Sequence, residues 1–126
     1  MNASPKSPEL SGLFAALADN TRLRLLNLMS GREVCVCHFV DILGQSQPKI
    51  SRHLAYLRKA GIVAPRREGK WMHYSICTSA DAASGSILTA VLAALGRDKQ
   101  MQADRGKLDR VCCGVRNVEL HQIQKG

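Results

Sequence analysis

The sequence predicts a mainly α-helical fold with one small β-hairpin. Apolar residues recur at helical spacing up to about residue 60 and again from about residue 81. Residues 62–77 change to alternating polarity on both sides of a Gly-containing turn, which is typical of a hairpin. Just before this hairpin, a short amphipathic segment, a break at Gly44 and a polar-faced helix follow one another. Helix, turn, helix and hairpin in this order indicate a winged helix-turn-helix.

Four helices are predicted before the hairpin. They cover residues 10–17, 20–30, 35–43 and 48–60, with Gly31 and Gly61 directly after the second and the fourth. The residues before the first helix are rich in Pro and Ser, so we expect a flexible N-terminal arm over residues 1–8.

The fourth helix has the composition of a DNA-reading helix. Pro48 stands in the first turn, where its missing N–H costs little, and Ser46 or Gln47 can cap the helix. Apolar residues from Ile50 to Leu57 follow helical spacing and predict a buried stripe. The side chains off that stripe are donors of the kind that reach base edges and phosphates. The predicted DNA-binding residues are Gln47, Lys49, Ser51, Arg52 and His53. A solvated amphipathic helix is the alternative, and the neighbouring segments favour DNA.

The hairpin that follows has a basic tip. Its position directly after the reading helix is that of a wing. We therefore predict that Arg66, Arg67 and Lys70 contact phosphate or the minor groove. A surface hairpin with a charged tip is the alternative.

A long helix is predicted from Asp81 to about Gln102. Its apolar face exceeds what a lone surface helix needs, so we interpret it as a homodimer interface together with the first helix. Intramolecular core is the alternative. The face consists of Ile87, Leu88, Val91, Leu92 and Leu95. We predict three parts: an arm at residues 1–8, a winged domain with dimerisation helices at residues 9–102, and a Cys-containing tail at residues 103–126. The tail is expected to be helical at its start and frayed at its end.

Composition narrows the class of protein. A chain of 126 residues is one domain by size, and a net charge of +8 favours a polyanionic partner, with nucleic acid first. No apolar run approaches the roughly 18 residues that span a membrane, and no export signal pattern is present, so a cytoplasmic protein is expected. There is also no phosphate loop, zinc-protease helix or nucleophile motif, and we predict that the chain is not an enzyme.

The cysteines are unevenly placed. Four of the five form two close pairs, Cys35 with Cys37 and Cys112 with Cys113, and in a reducing compartment these are better read as ligands or redox groups than as a disulfide framework. In a regular helix Cys35 and Cys37 would point about 200° apart. On an extended segment or at an unwound first turn they can face one ion. We expect the helix N-terminus to lower the thiol pKa there and so to favour soft ions. Two small buried hydrophobes are the alternative, and Cys77 is predicted to be a buried strand residue.

Four segments resemble the ArsR/SmtB family of winged-helix repressors over about residues 13–76. They are LFAALADNTRLRLLNLM, EVCVCHF, SQPKISRHLAYLRKAGIV and REGKWMHYSI. The resemblance implies a homodimer that binds double-stranded operator DNA and leaves it when a metal or metalloid binds. The family's metalloid box often has a third Cys where this chain has Val40, and His38 replaces its Asp. The family's zinc site on the fifth helix is absent, since residues 80–100 contain no His.

The resemblance implies trivalent arsenic or antimony as the effector. Trivalent arsenic prefers three sulfurs, so the chain must complete the Cys35 and Cys37 set elsewhere or bind the ion with two sulfurs. Cys112 or Cys113, from either subunit, is the obvious donor of a third, and two independent sites are the alternative. Other readings on the same fold remain open at this point. They are a thiol redox sensor, a cadmium- or zinc-responsive repressor, and a constitutive DNA-binding protein with structural cysteines.

Overall fold

The computed structural model describes residues 10–77 and 82–113, which form helices and one small sheet. The helices are α1 (Leu10–Leu17), α2 (Asn20–Leu28), α3 (Val36–Leu43), α4 (Gln47–Lys59), α5 (Ala82–Leu95) and α6 (Lys99–Leu108). The strands are β1 (Val34–Cys35), β2 (Val63–Glu68) and β3 (Trp71–Ile76), and a π-helical turn at Asp109–Cys113 follows α6. This is the mainly α, winged helix-turn-helix arrangement that the sequence predicts. The predicted arm at residues 1–8 lies outside the described residues.

Capping residues explain where α2 and α4 begin and where α3 ends. Asp19 precedes α2 and accepts the backbone N–H of Arg22 at 3.0 Å. Ser46 caps α4 by accepting the backbone N–H of Lys49, with Pro48 in the first turn as predicted. Gly44 ends α3 in the left-handed region at φ 68°, a conformation that favours glycine. Helix, turn and helix therefore follow from side chains that can be read in the sequence.

The sheet has one strand more than the predicted hairpin. Its order is β1-β3-β2, with antiparallel pairing throughout, and Cys35 lies opposite His73. The prediction that Cys35 begins the third helix was wrong, because this residue is extended, at φ −76° and ψ 143°, and precedes α3 as its N-cap. A two-residue strand is too short to show a period, and only its pairing with β3 reveals it.

The hydrophobic core packs α4 against helices from both ends of the described chain. The predicted stripe of α4 is confirmed as buried, since Ile50, Leu54 and Leu57 are 0–1% exposed. They pack in one cluster with apolar residues of α1, α2 and α3. Leu88 of α5 and Leu108 of α6 also belong to this cluster and are 1% and 0% exposed. The orientation of α4 is thus set from several sides.

The predicted helix from Asp81 to about Gln102 is two helices, so that prediction was wrong. Helix α5 ends at Leu95 and α6 begins after Asp98, whose carboxylate accepts the N–H of Met101 at 3.1 Å. Gly96 weakens the helix at this point, and the Asp98 cap starts a new one. The change of direction brings α6 back against α2.

The apolar face of α5 is partly intramolecular. Leu88 is a core residue, so its prediction as an interface residue was wrong, while Ile87, Val91 and Leu92 are half-buried against the core. On α1, Leu10 and Phe14 are 50% and 52% exposed. None of the helices in the described ranges is long and apolar enough to cross a membrane.

Candidate nucleic-acid interface and thiol site

The predicted reading residues lie on the surface of α4. Gln47, Lys49, Ser51 and Arg52 are exposed, and His53 is half-buried. Three of the predicted residues, Lys49, Arg52 and His53, line a single open groove of about 460 Å³. The other residues that line it are Arg22, Ala55, Tyr56 and Lys59. Four of the seven are basic and none is acidic, so the groove suits a phosphate-bearing ligand.

Sequence reasoning missed Arg22, Tyr56 and Lys59. Tyr56 and Lys59 follow His53 at intervals of three residues on α4, so an extended helical wheel would have found them. Arg22 belongs to α2, and no local pattern marks it, because it reaches α4 only through the packing of the two helices.

The three basic residues predicted on the wing have different surroundings. Arg67 and Lys70 are exposed, and within the described part of the chain neither pairs with a carboxylate. Arg66 instead bridges two carboxylates: its Nη2 donates to Glu33 Oε1 at 2.8 Å and to Glu68 Oε1 at 3.1 Å. The hydrogen bond from Arg66 lowers the pKa of Glu33, and the same contact raises the pKa of Arg66. Arg66 therefore also ties the wing to the segment before Cys35.

The thiols of Cys35 and Cys37 come together at the junction of β1 and α3. Cys37 Sγ donates to Cys35 Sγ at 3.1 Å. Cys35 is buried, and Cys37 as a whole residue is exposed although its sulfur lies against Cys35. The extended backbone of Cys35 allows this convergence, as expected for a pair that an unbroken helix would separate.

The electrostatics of the pair differ from the prediction. The pKa of the Cys37 thiol is raised to about 11, first by burial, then by its hydrogen bond to Cys35 and by the charges of Cys35 and Asp41. The prediction that the helix N-terminus lowers the thiol pKa is therefore wrong for Cys37. The dipole of an eight-residue helix is outweighed by desolvation, the neighbouring sulfur and a carboxylate one turn away.

Side-chain hydrogen bonds hold α6 against α2. Arg24 donates from Nε and Nη2 to the carboxylate of Asp104 at 2.8 and 3.0 Å, and Asn27 donates to the carbonyl of Met101 at 2.9 Å. The hydrogen bond from Asp104 raises the pKa of Arg24. At the end of α6, Asp109 accepts from Arg32, three residues before Cys35, at 2.6 Å. The π-helical turn Asp109–Cys113, whose backbone includes Cys112 and Cys113, thus begins at a residue that contacts the segment before Cys35 of the same chain.

Cys77 and His38 are the other side chains that could act as ligands. Cys77 directly follows β3, is half-buried, and lies 3.8 Å from the carbonyl oxygen of Gly61, so the prediction of a buried strand residue was wrong. His38 is half-buried on α3. Among the side chains of residues 10–77 and 83–111, no three of His, Cys, Asp or Glu are grouped to hold a metal ion.

The fold and the basic groove define a winged helix-turn-helix protein. Residues 19–64 match the family model for bacterial regulatory protein, arsR family. The chain is 30% identical to HlyU from Vibrio cholerae N16961, covering 70% of this chain and 88% of that one with a TM-score of 0.59. The chain belongs to the arsR family, as the resemblance predicted. Members are regulatory proteins and not enzymes, which confirms that prediction as well.

Curated relatives point to more than one effector. The chain is 48% identical over 77 residues to the arsenical resistance operon repressor of Escherichia coli (strain K12), covering 60% of this chain and 66% of that protein. It is 37% identical over 71 residues to the cadmium resistance transcriptional regulatory protein CadC of Listeria innocua, covering 56% and 60%. The alignments with the arsenical relatives span about half to two thirds of those proteins' length.

Proposed function

We propose that this protein is a metalloid-responsive transcriptional repressor. It binds operator DNA as a homodimer and dissociates when trivalent arsenic or antimony binds Cys35 and Cys37. The observation that carries the proposal is the 3.1 Å contact between these two sulfurs, at the point where the wing sheet joins the helix-turn-helix. Similarity to the arsenical resistance repressor of E. coli supports the choice of effector.

DNA binding rests on two basic surfaces. Helix α4 enters the major groove with Gln47, Lys49, Ser51, Arg52 and His53, and the wing contributes Arg67 and Lys70, with Arg66 as a support for its orientation. The dimer uses α1, where Leu10 and Phe14 are half exposed, and the outer side of α5. Its two reading helices then lie about 34–36 Å apart, one turn of DNA, on an inverted repeat.

The raised pKa of Cys37 favours arsenic over cadmium. A cadmium ion must displace the Cys37 proton into solvent, and the raised pKa makes that displacement less favourable near neutral pH. Arsenous acid carries hydroxides, so each As–S bond that forms takes the thiol proton away as water. The sulfurs need to separate little to bind an ion, since two thiolates of a tetrahedral zinc ion lie about 3.8 Å apart.

The third sulfur comes from Cys112 or Cys113 of the same chain. The chain has Val40 where the family box often has a third Cys. The contacts Arg24–Asp104 and Arg32–Asp109 support this ligand set, because they hold the start of the Asp109–Cys113 turn close to the segment before Cys35.

Release of DNA follows from the position of Cys35. This residue pairs with His73 of the wing sheet and also occupies the N-cap position of α3, which packs on α4. An ion that moves Cys35 therefore changes both the wing and the turn that orients α4. Such a change need only favour the released form by a few kcal/mol to shift the population.

The test is release of a fluorescent duplex under a non-thiol reductant. The duplex is selected by the protein from a random pool, and arsenite, antimonite, cadmium and zinc are titrated separately. Cys35→Ser and Cys37→Ser should bind the duplex but no longer release it with arsenite, and Cys77→Ser is the matched control that should release normally. Release of these two variants at the parent's arsenite concentration would contradict the proposal.

A thiol redox sensor is the second candidate, and the same short contact favours it, since two adjacent thiols can be oxidised together. Release by peroxide that a dithiol reverses, with no response to arsenite, would identify this function instead.

A further inference from the structure

Arg22 differs from the other basic residues of the groove because its guanidinium is held on several sides. Its Nε donates to the carbonyl of Ala16 at 2.8 Å and its Nη2 to the carbonyl of Ala15 at 3.1 Å. Its guanidinium carbon lies 4.0 Å from the centroid of the Tyr56 ring. Two carbonyls at the end of α1 and one aromatic face of α4 therefore fix the orientation of the guanidinium.

The remaining contact of Arg22 is with His53, where its Nη1 lies 3.3 Å from Nδ1 of the ring. A guanidinium has donors and no acceptor, so Nδ1 must accept, and the proton of the neutral ring must be on Nε2. Asp19 is the alternative partner of Nδ1. A hydrogen bond to Asp19 Oδ2 would require the proton on Nδ1, but these two atoms are 3.7 Å apart. That distance exceeds a hydrogen bond, and the same oxygen already accepts the backbone N–H of Arg22 at 3.0 Å. The Arg22 contact therefore decides the tautomer.

We infer that Arg22 is a positioning residue for operator recognition, which holds His53 as its Nε2–H tautomer so that α4 presents a hydrogen-bond donor at this point. The inference rests on the proposed binding of DNA by α4. Within the described part of the chain, His53 has protein partners only at Nδ1, which leaves Nε2 to the groove. A ring donor can pair with guanine O6 or N7, adenine N7, thymine O4 or a phosphate oxygen, but not with the amino group of cytosine. Arg22 thus contributes to specificity through His53.

The tautomer is measured on the protein without DNA. Long-range ¹⁵N NMR of histidine-labelled protein at about pH 8, where imidazole rings are neutral, distinguishes the two ring nitrogens, and His53→Gln assigns the signal. We expect Nε2–H in the parent and a shift towards Nδ1–H in Arg22→Met, which keeps the chain length but loses the donors. Arg97→Met, which removes the same charge in the exposed turn after α5, should leave the signal unchanged. A parent ring protonated on Nδ1 would overturn the inference even if Arg22→Met failed to fold.

The effect on recognition is measured as the ratio of affinities for the selected duplex and for a scrambled duplex of the same composition. Relative to Arg97→Met, Arg22→Met should reduce this ratio roughly tenfold, the weight of one base contact. In a His53→Ala background the same change should have no further effect. A tenfold loss that persists without His53 would show that Arg22 acts by itself and would overturn the inference. A parent that selects no duplex would overturn the proposed function and with it the recognition role, whereas the NMR result would still show whether Arg22 holds the tautomer.

Discussion

The ion pair between α2 and α6 allows a quantitative prediction of stability. The carboxylate of Asp104 is fully buried, accepts two hydrogen bonds from Arg24, and accepts a third from Gln100 at 3.1 Å. Asp104→Ala would leave the Arg24 guanidinium, which is only 17% exposed, without its counter-charge. Removing one partner of a buried pair costs about 3–5 kcal/mol. Because Arg24 keeps some contact with water, we expect the lower end, about 3 kcal/mol of unfolding free energy.

Urea unfolding followed by circular dichroism, at one fixed protein concentration, tests this value. For a domain of this size the dependence on urea is about 1–1.5 kcal/mol per molar, so the midpoint should fall by about 2–3 M. Asp109→Ala, which breaks an exposed pair with Arg32, is the matched control and should cost less than about 1 kcal/mol. The double variant Arg24→Met with Asp104→Leu should recover most of the loss, since it leaves no buried charge. If Asp104→Ala moved the midpoint no more than Asp109→Ala, the reasoning about the buried pair would be refuted.

Three further predictions concern the thiol, the wing and the dimer. Because only the thiolate reacts, alkylation of Cys37 by iodoacetamide should become faster with pH up to about pH 11. The rate is measured by peptide mass spectrometry, and a rate that levels off below about pH 9 would contradict the raised pKa of Cys37. Arg67→Ala should reduce the salt slope of DNA binding by about one, whereas Arg66→Ala should change it less, because that charge is already paired; equal slopes in anisotropy titrations would argue against this difference. Phe14→Lys should give folded monomers and Leu88→Arg unfolded protein, and sedimentation with circular dichroism would reveal the opposite pattern.

Several features were predictable from the sequence because they depend on neighbouring residues. The buried stripe of α4, its Ser46 cap and the break at Gly44 follow from spacing and from the conformations that single residues prefer. The hairpin followed from alternation around a glycine. The paired thiols could be predicted as a possible ion site because their spacing requires an extended residue, although the sequence did not show that Cys35 belongs to a strand.

By itself, then, the sequence determined the winged helix-turn-helix and the helix that corresponds to α4, and it singled out Cys35 and Cys37 as the thiols proposed to bind the effector. Only the tertiary structure decided which distant residues meet. Arg22 contacts His53 across 31 residues and Arg24 contacts Asp104 across 80. The raised pKa of Cys37 likewise depends on burial and on charges that packing brings together. Periodicity and capping act within one or two turns of chain, whereas ion pairs, tautomers and pKa shifts depend on distances that are set when the helices pack.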